Sequence, residues 1–278
     1  MKHKRAIILL FGLFFCCSFT AMAANPLRLS MLPLYSTDEI SQQLTPLAAL
    51  LSAATGTPVE PIVVSNFKEY ELRLKRDIDI GYQNPIVYVQ SADKHEAVAV
   101  ISKEPDGSKF RGIIITRADS PIISSEDLKG KRISIVGPTS TGGFLSQRLA
   151  LLQEGIDTSR DMIIEEALNN KQENVVLSVY NGDADAGFIR ESALHQTDAY
   201  VPPNQIKVIK KTALLPEWVI SVNRNLPPKT KAAIRSALIE LKGNNPLLKT
   251  MQVKGFEAAE DRDYDPVRQA MGIAIPSR

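Results

Sequence analysis

The chain has 278 residues, 44% hydrophobic and 23% charged, with a formal net charge of +2. That usage is globular, neither disordered nor fibrous, and the length suits one large or two small domains. The charge is unevenly placed. Lys2, Lys4 and Arg5 precede an apolar run from Ala6 to Phe15, which continues through Cys16, Cys17, Ser18 and Phe19 and closes on Ala21-Met22-Ala23. A basic head, an apolar stretch of this length and a small-x-small exit mark residues 1–23 as a secretory signal peptide, cut after Ala23. The run is short for a membrane span and has no polar stop-transfer flank.

Cleavage removes both cysteines and three positive charges. The mature chain (278 less 23 residues) carries 30 basic side chains, the 33 of the full chain less Lys2, Lys4 and Arg5, against 31 acidic ones. No Leu-x-Ala/Gly-Cys junction surrounds Cys16 or Cys17, so a soluble product without a lipid anchor is expected. Near-neutral charge offers no electrostatic footprint for nucleic acid. Thiol catalysis, disulfides and cysteine–zinc sites are excluded. His95 and His195 have no partners at ligand spacing, so no metal site is expected.

In chain order, Leu27 to Leu32 alternates as a strand and runs into the loop Pro33 to Asp38, whose end supplies helix N-caps. Ile40, Leu44, Leu47 and Leu51 form one face of a helix closing at Gly56, with Pro46 expected to kink or restart it. Val59 to Val64 reads as a strand, Phe67 to Arg76 as a helix, and Asp77 to Tyr82 as a third strand. Pro85 to Ala92 is helical, and Ala97 to Ile101 and Gly112 to Thr116 are strands. A second series starts at Asp119: strand Lys131 to Val136, a turn Gly137 to Gly143, and a helix through Phe144, Leu145, Leu149 and Leu152. Strand Met162 to Glu166, helix Asn174 to Tyr180, strand Ala184 to Ile189, a short helix Glu191 to His195 and strand Ile206 to Lys210 come next. Beyond Pro216 the pattern turns helical, most clearly from Lys229 to Leu241.

Alternating strands and helices predict an α/β fold of mostly parallel sheets covered on both faces. Two such series predict two lobes. The first takes residues 24–115, the second 116–211, and residues 212–278 return to the first, with crossovers near Ile115–Arg117 and Lys210–Ala213. A ligand would then sit between the lobes, beyond the carboxyl ends of the strands.

Three strand-end loops could meet it: Tyr35-Ser36-Thr37, Tyr82-Gln83-Asn84 and Thr139-Ser140-Thr141-Gly142-Gly143. The last is the sharpest. Small hydroxyl residues and two glycines directly before a helix offer open N–H groups, O–H donors and the positive end of the helix dipole, which together solvate an oxyanion. The same residues also suit a plain helix cap. Tyr35 and Tyr82 either wall a cleft or belong to the core. Arg190 follows the strand Ala186 to Ile189, where its guanidinium could fork onto an oxygen pair or else pair with Glu191. Asp185 either accepts from a ligand or is a turn residue, and Trp218 is a cleft lid or core. No Gly-x-Ser-x-Gly, Ser-x-x-Lys or His-Glu-x-x-His motif appears, which lowers the standing of an enzymatic reading.

Taken in order, Leu50-Leu51-Ser52 through Gly56, Asp79-Ile80-Gly81-Tyr82-Gln83-Asn84-Pro85, Asp119-Ser120-Pro121-Ile122, Asp127-Leu128-Lys129-Gly130-Lys131, Ser140-Thr141-Gly142-Gly143-Phe144 and Gly182-Asp183-Ala184-Asp185-Ala186-Gly187-Phe188 resemble the phosphate/phosphite/phosphonate-binding family of periplasmic solute-binding proteins. The resemblance implies a type 2 periplasmic-binding-protein fold that closes on its ligand, with no cofactor and no catalysis. It also implies a monomer in the periplasm that hands a small anionic ligand to an ABC permease in the inner membrane. The alternative is an extracytoplasmic sensor for an oxyanion, sulfur oxyanions included, that feeds a histidine kinase. Ser140 and Thr141 match the hydroxyl pair of the family's Ser-Thr-Ser-Gly loop, Gly142 stands where it has a third hydroxyl, and Tyr35 and Tyr82 match its aromatic cleft positions. Where members often carry a His-Asp pair, this chain reads Lys171-Gln172-Glu173.

Overall fold

The structure, a computed structural model, describes residues 25–103 and 107–277, so the signal segment at 1–23 lies outside the described residues. The first half runs β1 (Leu27–Met31), α1 (Thr37–Thr55), β2 (Val59–Ile62), α2 (Phe67–Arg76), β3 (Ile80–Gln83), α3 (Pro85–Ser91) and β4 (His95–Ser102). A two-residue strand, β5 (Lys109–Phe110), leads to β6 (Gly112–Arg117) and β7 (Arg132–Ile135). A π-helical turn (Thr141–Leu145) then runs directly into α4 (Ser146–Leu152), before α5 (Thr158–Asp161), β8 (Ile163–Glu166), α6 (Gln172–Asn181) and β9 (Ala186–Arg190). The chain returns through β10 (Ile206–Lys211), β11 (Leu215–Pro216), β12 (Val219–Asn223), α7 (Pro228–Ile239), α8 (Pro246–Thr250), β13 (Gly255–Ala258) and α9 (Asp265–Ala270).

Two sheets make two lobes. The first has six strands in the order β13-β4-β12-β3-β1-β2, and the second has five in the order β10-β6-β9-β7-β8. Both are mixed rather than mostly parallel. β1, β2 and β3 run parallel, but β12 pairs antiparallel with both β3 and β4, and β13 antiparallel with β4. Likewise β7, β8 and β9 run parallel, while β6 pairs antiparallel with β9 and β10 antiparallel with β6. The segment beyond Pro216, expected to be helical, supplies two of those antiparallel strands. Its β-branched Val219-Ile220-Ser221-Val222 is buried in the first sheet between β3 and β4.

Local chemistry sets the elements. α1 stays unbroken although Pro46 sits inside it, where a kink or restart was expected. Ile40, Gln43, Leu44, Leu47, Ala48 and Leu51 are buried along one face, and that packing outweighs one lost backbone hydrogen bond. In β6, Ile113 and Ile115 face one core cluster of the second lobe and Ile114 the other, as the period of two requires for a strand buried on both faces.

The lobes join through β5 and β11, which pair antiparallel, Phe110 opposite Leu215 and Lys109 opposite Pro216. The first crossover thus lies at Lys109–Phe110 rather than near Ile115–Arg117, because all of β6 belongs to the second sheet. Around this hinge a shared core mixes Phe110 and Leu215 with Leu145 of the second lobe and Tyr88, Tyr264 and Val267 of the first. Buried Arg268 fastens α9 there, with ion pairs to Asp261 (2.5 Å) and Asp265 (2.9 Å).

Candidate functional site

A cavity of about 240 Å³ opens between the lobes. Leu34, Asn84, Pro85 and Trp218 line it from the first lobe; Thr139, Ser140, Thr141, Gly142, Gln172 and Arg190 line it from the second; Phe110 and Glu217 line it from the hinge. These residues gather there because four helices begin beside it: α1 after β1, α3 after β3, the π turn and α4 after β7, and α6 after β8. Each start sets the positive end of a helix dipole beside the cavity. Asp38 and Glu39 neutralise the start of α1, and Glu173 that of α6, whereas α3 and the π turn have no acid in their first turn. Of these two, α3 opens on Pro85, which has no N–H, and is capped by Asn84, so the π turn is the start left open.

The π turn is the polar wall. Ser140 caps it, its Oγ accepting from the Gly143 N–H at 3.1 Å, so its own O–H hydrogen remains available to donate. Thr141 and Gly142 are the first residues of the turn and line the cavity, their amides at the position where a helical start lacks internal acceptors. Gly142 answers the missing third hydroxyl: a Cβ there would stand 3.0 Å from the Phe110 ring and 3.2 Å from Arg190 Cβ. Gly143 is held tighter, with Val136 2.4 Å from a would-be Cβ.

Arg190 ends β9 at the cavity. Its backbone N–H donates to Gln172 Oε1 (2.9 Å), its Cζ lies 4.7 Å from the centroid of the Phe110 ring, and its Nη2 donates to Glu217 Oε1 at 2.5 Å. Neighbouring Glu191 is taken by Arg111 (2.9 Å) and Lys211 (2.6 Å) instead. Glu217 is 1% exposed, and sequence reasoning passed it over. Its carboxylate reaches far electrostatically. Burial pushes the Tyr35 and Tyr82 phenols up and the Glu217 charge adds to both shifts. Burial also pushes the Lys103 ammonium down, against the pull of Glu217 and with the repulsion of Arg190.

The first-lobe residues divide. Asn84 lines the cavity, its Oδ1 accepting from the Val87 N–H at 2.9 Å to cap α3. Tyr82 is buried behind Trp218, edge-on to it at 5.3 Å, which leaves the half-buried tryptophan as the wall. Tyr35, next to Leu34 in the chain, is 43% exposed and is not part of the cavity lining. Ser36 and Thr37 belong to the start of α1. Ser36 N–H and O–H both donate to Glu39 Oε2 (2.9 and 2.7 Å), and its Oγ accepts from the Glu39 N–H (3.3 Å), a closed capping box. Gln83 is turned away from the cleft: fully buried, it accepts from Tyr70 Oη (2.8 Å) and donates to Ser221 Oγ (2.7 Å). Asp185 stands at the opposite end of β9 from Arg190, its Oδ2 accepting from the Arg132 N–H at 2.9 Å. There it ties two strands together, far from the cavity.

Among the described residues no group of three or more His, Cys, Asp or Glu is placed to hold a metal ion, and no helix is long and apolar enough to cross a membrane. A roomier groove of about 550 Å³ lies on the outer face of the first lobe between α2, α3 and Ile273. Its apolar lining is Leu74, Val87, Val89 and Ile273.

Fold and cleft together define a two-lobed solute-binding protein. The model of the family described as the periplasmic substrate-binding protein of phosphonate ABC transporters matches residues 29–264, and the chain belongs to that family. It is 24% identical over 273 residues to the phosphate-import protein PhnD of Mycolicibacterium smegmatis, spanning 89% of this chain and 85% of that protein. Among solved structures, XAC2383 from Xanthomonas citri bound to ATP superposes with a TM-score of 0.70 at 19% identity, over 88% of this chain and 96% of that one. PhnD1 from Prochlorococcus marinus in complex with methylphosphonate gives 0.63 at 16%, over 88% and 96%. The chain is therefore a substrate-binding component of an ABC transporter, as its motifs implied.

Proposed function

We propose that the cleft captures a small oxyanion of the phosphonate, phosphite or phosphate type and presents it to an inner-membrane permease without transforming it. The protein acts as a monomer, released into the periplasm by cleavage after Ala23. One observation carries the reading: the π turn, a helix start with no acid in its first turn, faces one small cavity whose wall also holds Arg190. The amides of Thr141 and Gly142, the hydroxyls of Ser140 and Thr141 and the side-chain amide of Asn84 hold the oxygens. Arg190 supplies charge that Glu217 partly offsets, which suits a ligand of modest negative charge.

A thermal-shift screen of the mature protein in phosphate-free and sulfate-free buffer tests this. Phosphite, methylphosphonate, phosphate, sulfite and thiosulfate form the panel. At a hundred times its Kd a ligand stabilises by about 2.7 kcal/mol, or roughly 5–10 °C for a chain of this size. A shift from a phosphorus oxyanion is expected. A shift from sulfur oxyanions alone would move the ligand class, and a flat panel from folded, ligand-free protein would overturn the oxyanion reading.

A further inference from the structure

Gln147 is fully buried one turn beyond the binding turn, on α4. Its Nε2 lies 2.8 Å from Gly142 O, 2.9 Å from Ile189 O and 3.1 Å from Ile113 O, so a single NH2 group serves three carbonyls. Ile113 and Ile189 are register partners on β6 and β9, which places the amide against two neighbouring strands of the second sheet, one of them the central strand. Ser146 Oγ donates to Gln147 Oε1 at 2.9 Å and fixes which end of the amide faces them. The neighbouring strand is shaped for this group. A Cβ on Gly112 would stand 2.4 Å from Gln147 Nε2 and 2.2 Å from Ser146 Oγ, so only glycine leaves room.

Gly142 C=O belongs to the same peptide plane as Gly143 N–H. Gln147 holds the carbonyl end of that plane, and Ser140 Oγ accepts from its N–H end. The orientation of one peptide therefore decides which lone pair of Ser140 is occupied and where its O–H hydrogen is left to donate. Single π turns within helices sit frequently at functional sites, and here one carbonyl of the turn, Gly142 O, is held by a side chain.

Resting on the oxyanion reading above, we infer that Gln147 is a positioning residue: through the Gly142–Gly143 peptide it aims the Ser140 hydroxyl at the bound anion, without touching the anion itself.

The test is a double-mutant cycle on affinity, read by calorimetric titration with phosphite and with methylphosphonate. Gln147→Met keeps the side-chain volume and removes the donors. Ser146→Ala, a milder change, loosens the amide and serves if Gln147→Met does not fold. Each is made alone and in a Ser140→Ala background. Loss of an outer hydrogen-bonded partner is expected to raise Kd about tenfold or more for Gln147→Met, and less for Ser146→Ala. In the Ser140→Ala background both effects should shrink toward onefold, because the group being aimed is gone. Equal fold-changes in the two backgrounds would overturn the positioning role and leave Gln147 as packing alone. A wild-type protein that binds neither anion would overturn the oxyanion reading itself, an outcome distinct from additivity.

Discussion

The two lobes reach the cleft with the same device, a strand running into a helix start, yet they bring opposite chemistry. In the first lobe the helix starts are satisfied from within. Ser36 and Glu39 close a capping box at α1, Asp38 adds negative charge there, and Asn84 caps α3, whose first position is Pro85. What this lobe shows the cavity is mainly Leu34, Pro85 and Trp218. In the second lobe the start is left open. Its cap is a serine whose hydrogen is unspent, its next residues are Thr141 and Gly142, and no acid lies in the turn. One lobe gives shape and the other gives grip. A clamp needs only one face to carry the donors, provided the other excludes water when the lobes meet.

Experiments can break that division, beginning with the largest expected effect. Replacing Ser140 and Thr141 together by Ala should weaken anion binding by about 2–5 kcal/mol while leaving the fold intact. Unchanged affinity in calorimetry would mean the turn is only a cap. In the first lobe the cost should fall on stability instead. Gln83→Leu takes one buried partner from each of Tyr70 and Ser221 and should cost about 1–3 kcal/mol in urea unfolding, with Kd unmoved.

Glu217→Gln sharpens the contrast at the hinge, since it lifts the charge that competes for Arg190. Affinity for an anion should improve about tenfold at low salt, an effect of ~1.4 kcal/mol. A loss of affinity would show that the carboxylate itself receives the ligand.

His95 tests the quiet side of the first lobe. Its Nε2 meets Leu74 O (2.9 Å), its Nδ1 meets Ser221 Oγ (3.0 Å), and burial holds its pKa below the usual value. The native state therefore keeps it neutral. The unfolded chain takes up the proton first, from about pH 6.5 downward, and stability is lost as pH falls through that window. The slope should approach ~1.4 kcal/mol per pH unit at most, and His95→Gln should remove it. Ser36→Ala comes last, at about 1 kcal/mol of stability with affinity unchanged.

The frame of the molecule was legible in its periodicities. The helix Phe67–Arg76 matches its pattern to the residue, and the alternating series do form two lobes. The hinge strands were not legible, because two residues such as Lys109 and Phe110 carry no period. Their partners Leu215 and Pro216 lie about a hundred positions away. The return strands had a signal in Val219-Ile220-Ser221-Val222 that the helical reading of the tail overrode. At the site, the loop Ser140–Gly143 could be read because hydroxyls and glycines before a helix have one common use. Gln83 and Asp185 could not be separated from cleft residues, since a strand-end amide or carboxylate looks the same whether it faces a ligand or a neighbouring strand. Glu217 and Gln147 were passed over for a related reason. Each acts through a partner that only the fold supplies, Arg190 for one and the carbonyls of Ile113, Gly142 and Ile189 for the other.

The division between shape and grip can be observed directly in the backbone amides. Titrating isotopically labelled mature protein with methylphosphonate or phosphite, and tracking the amide resonances, reports which N–H groups take up the anion. Large downfield shifts at Thr141 and Gly142, with those of Thr37 and Asp38 nearly still, are the expected result. Large shifts at the start of α1 with a silent Ser140–Gly143 turn would contradict it.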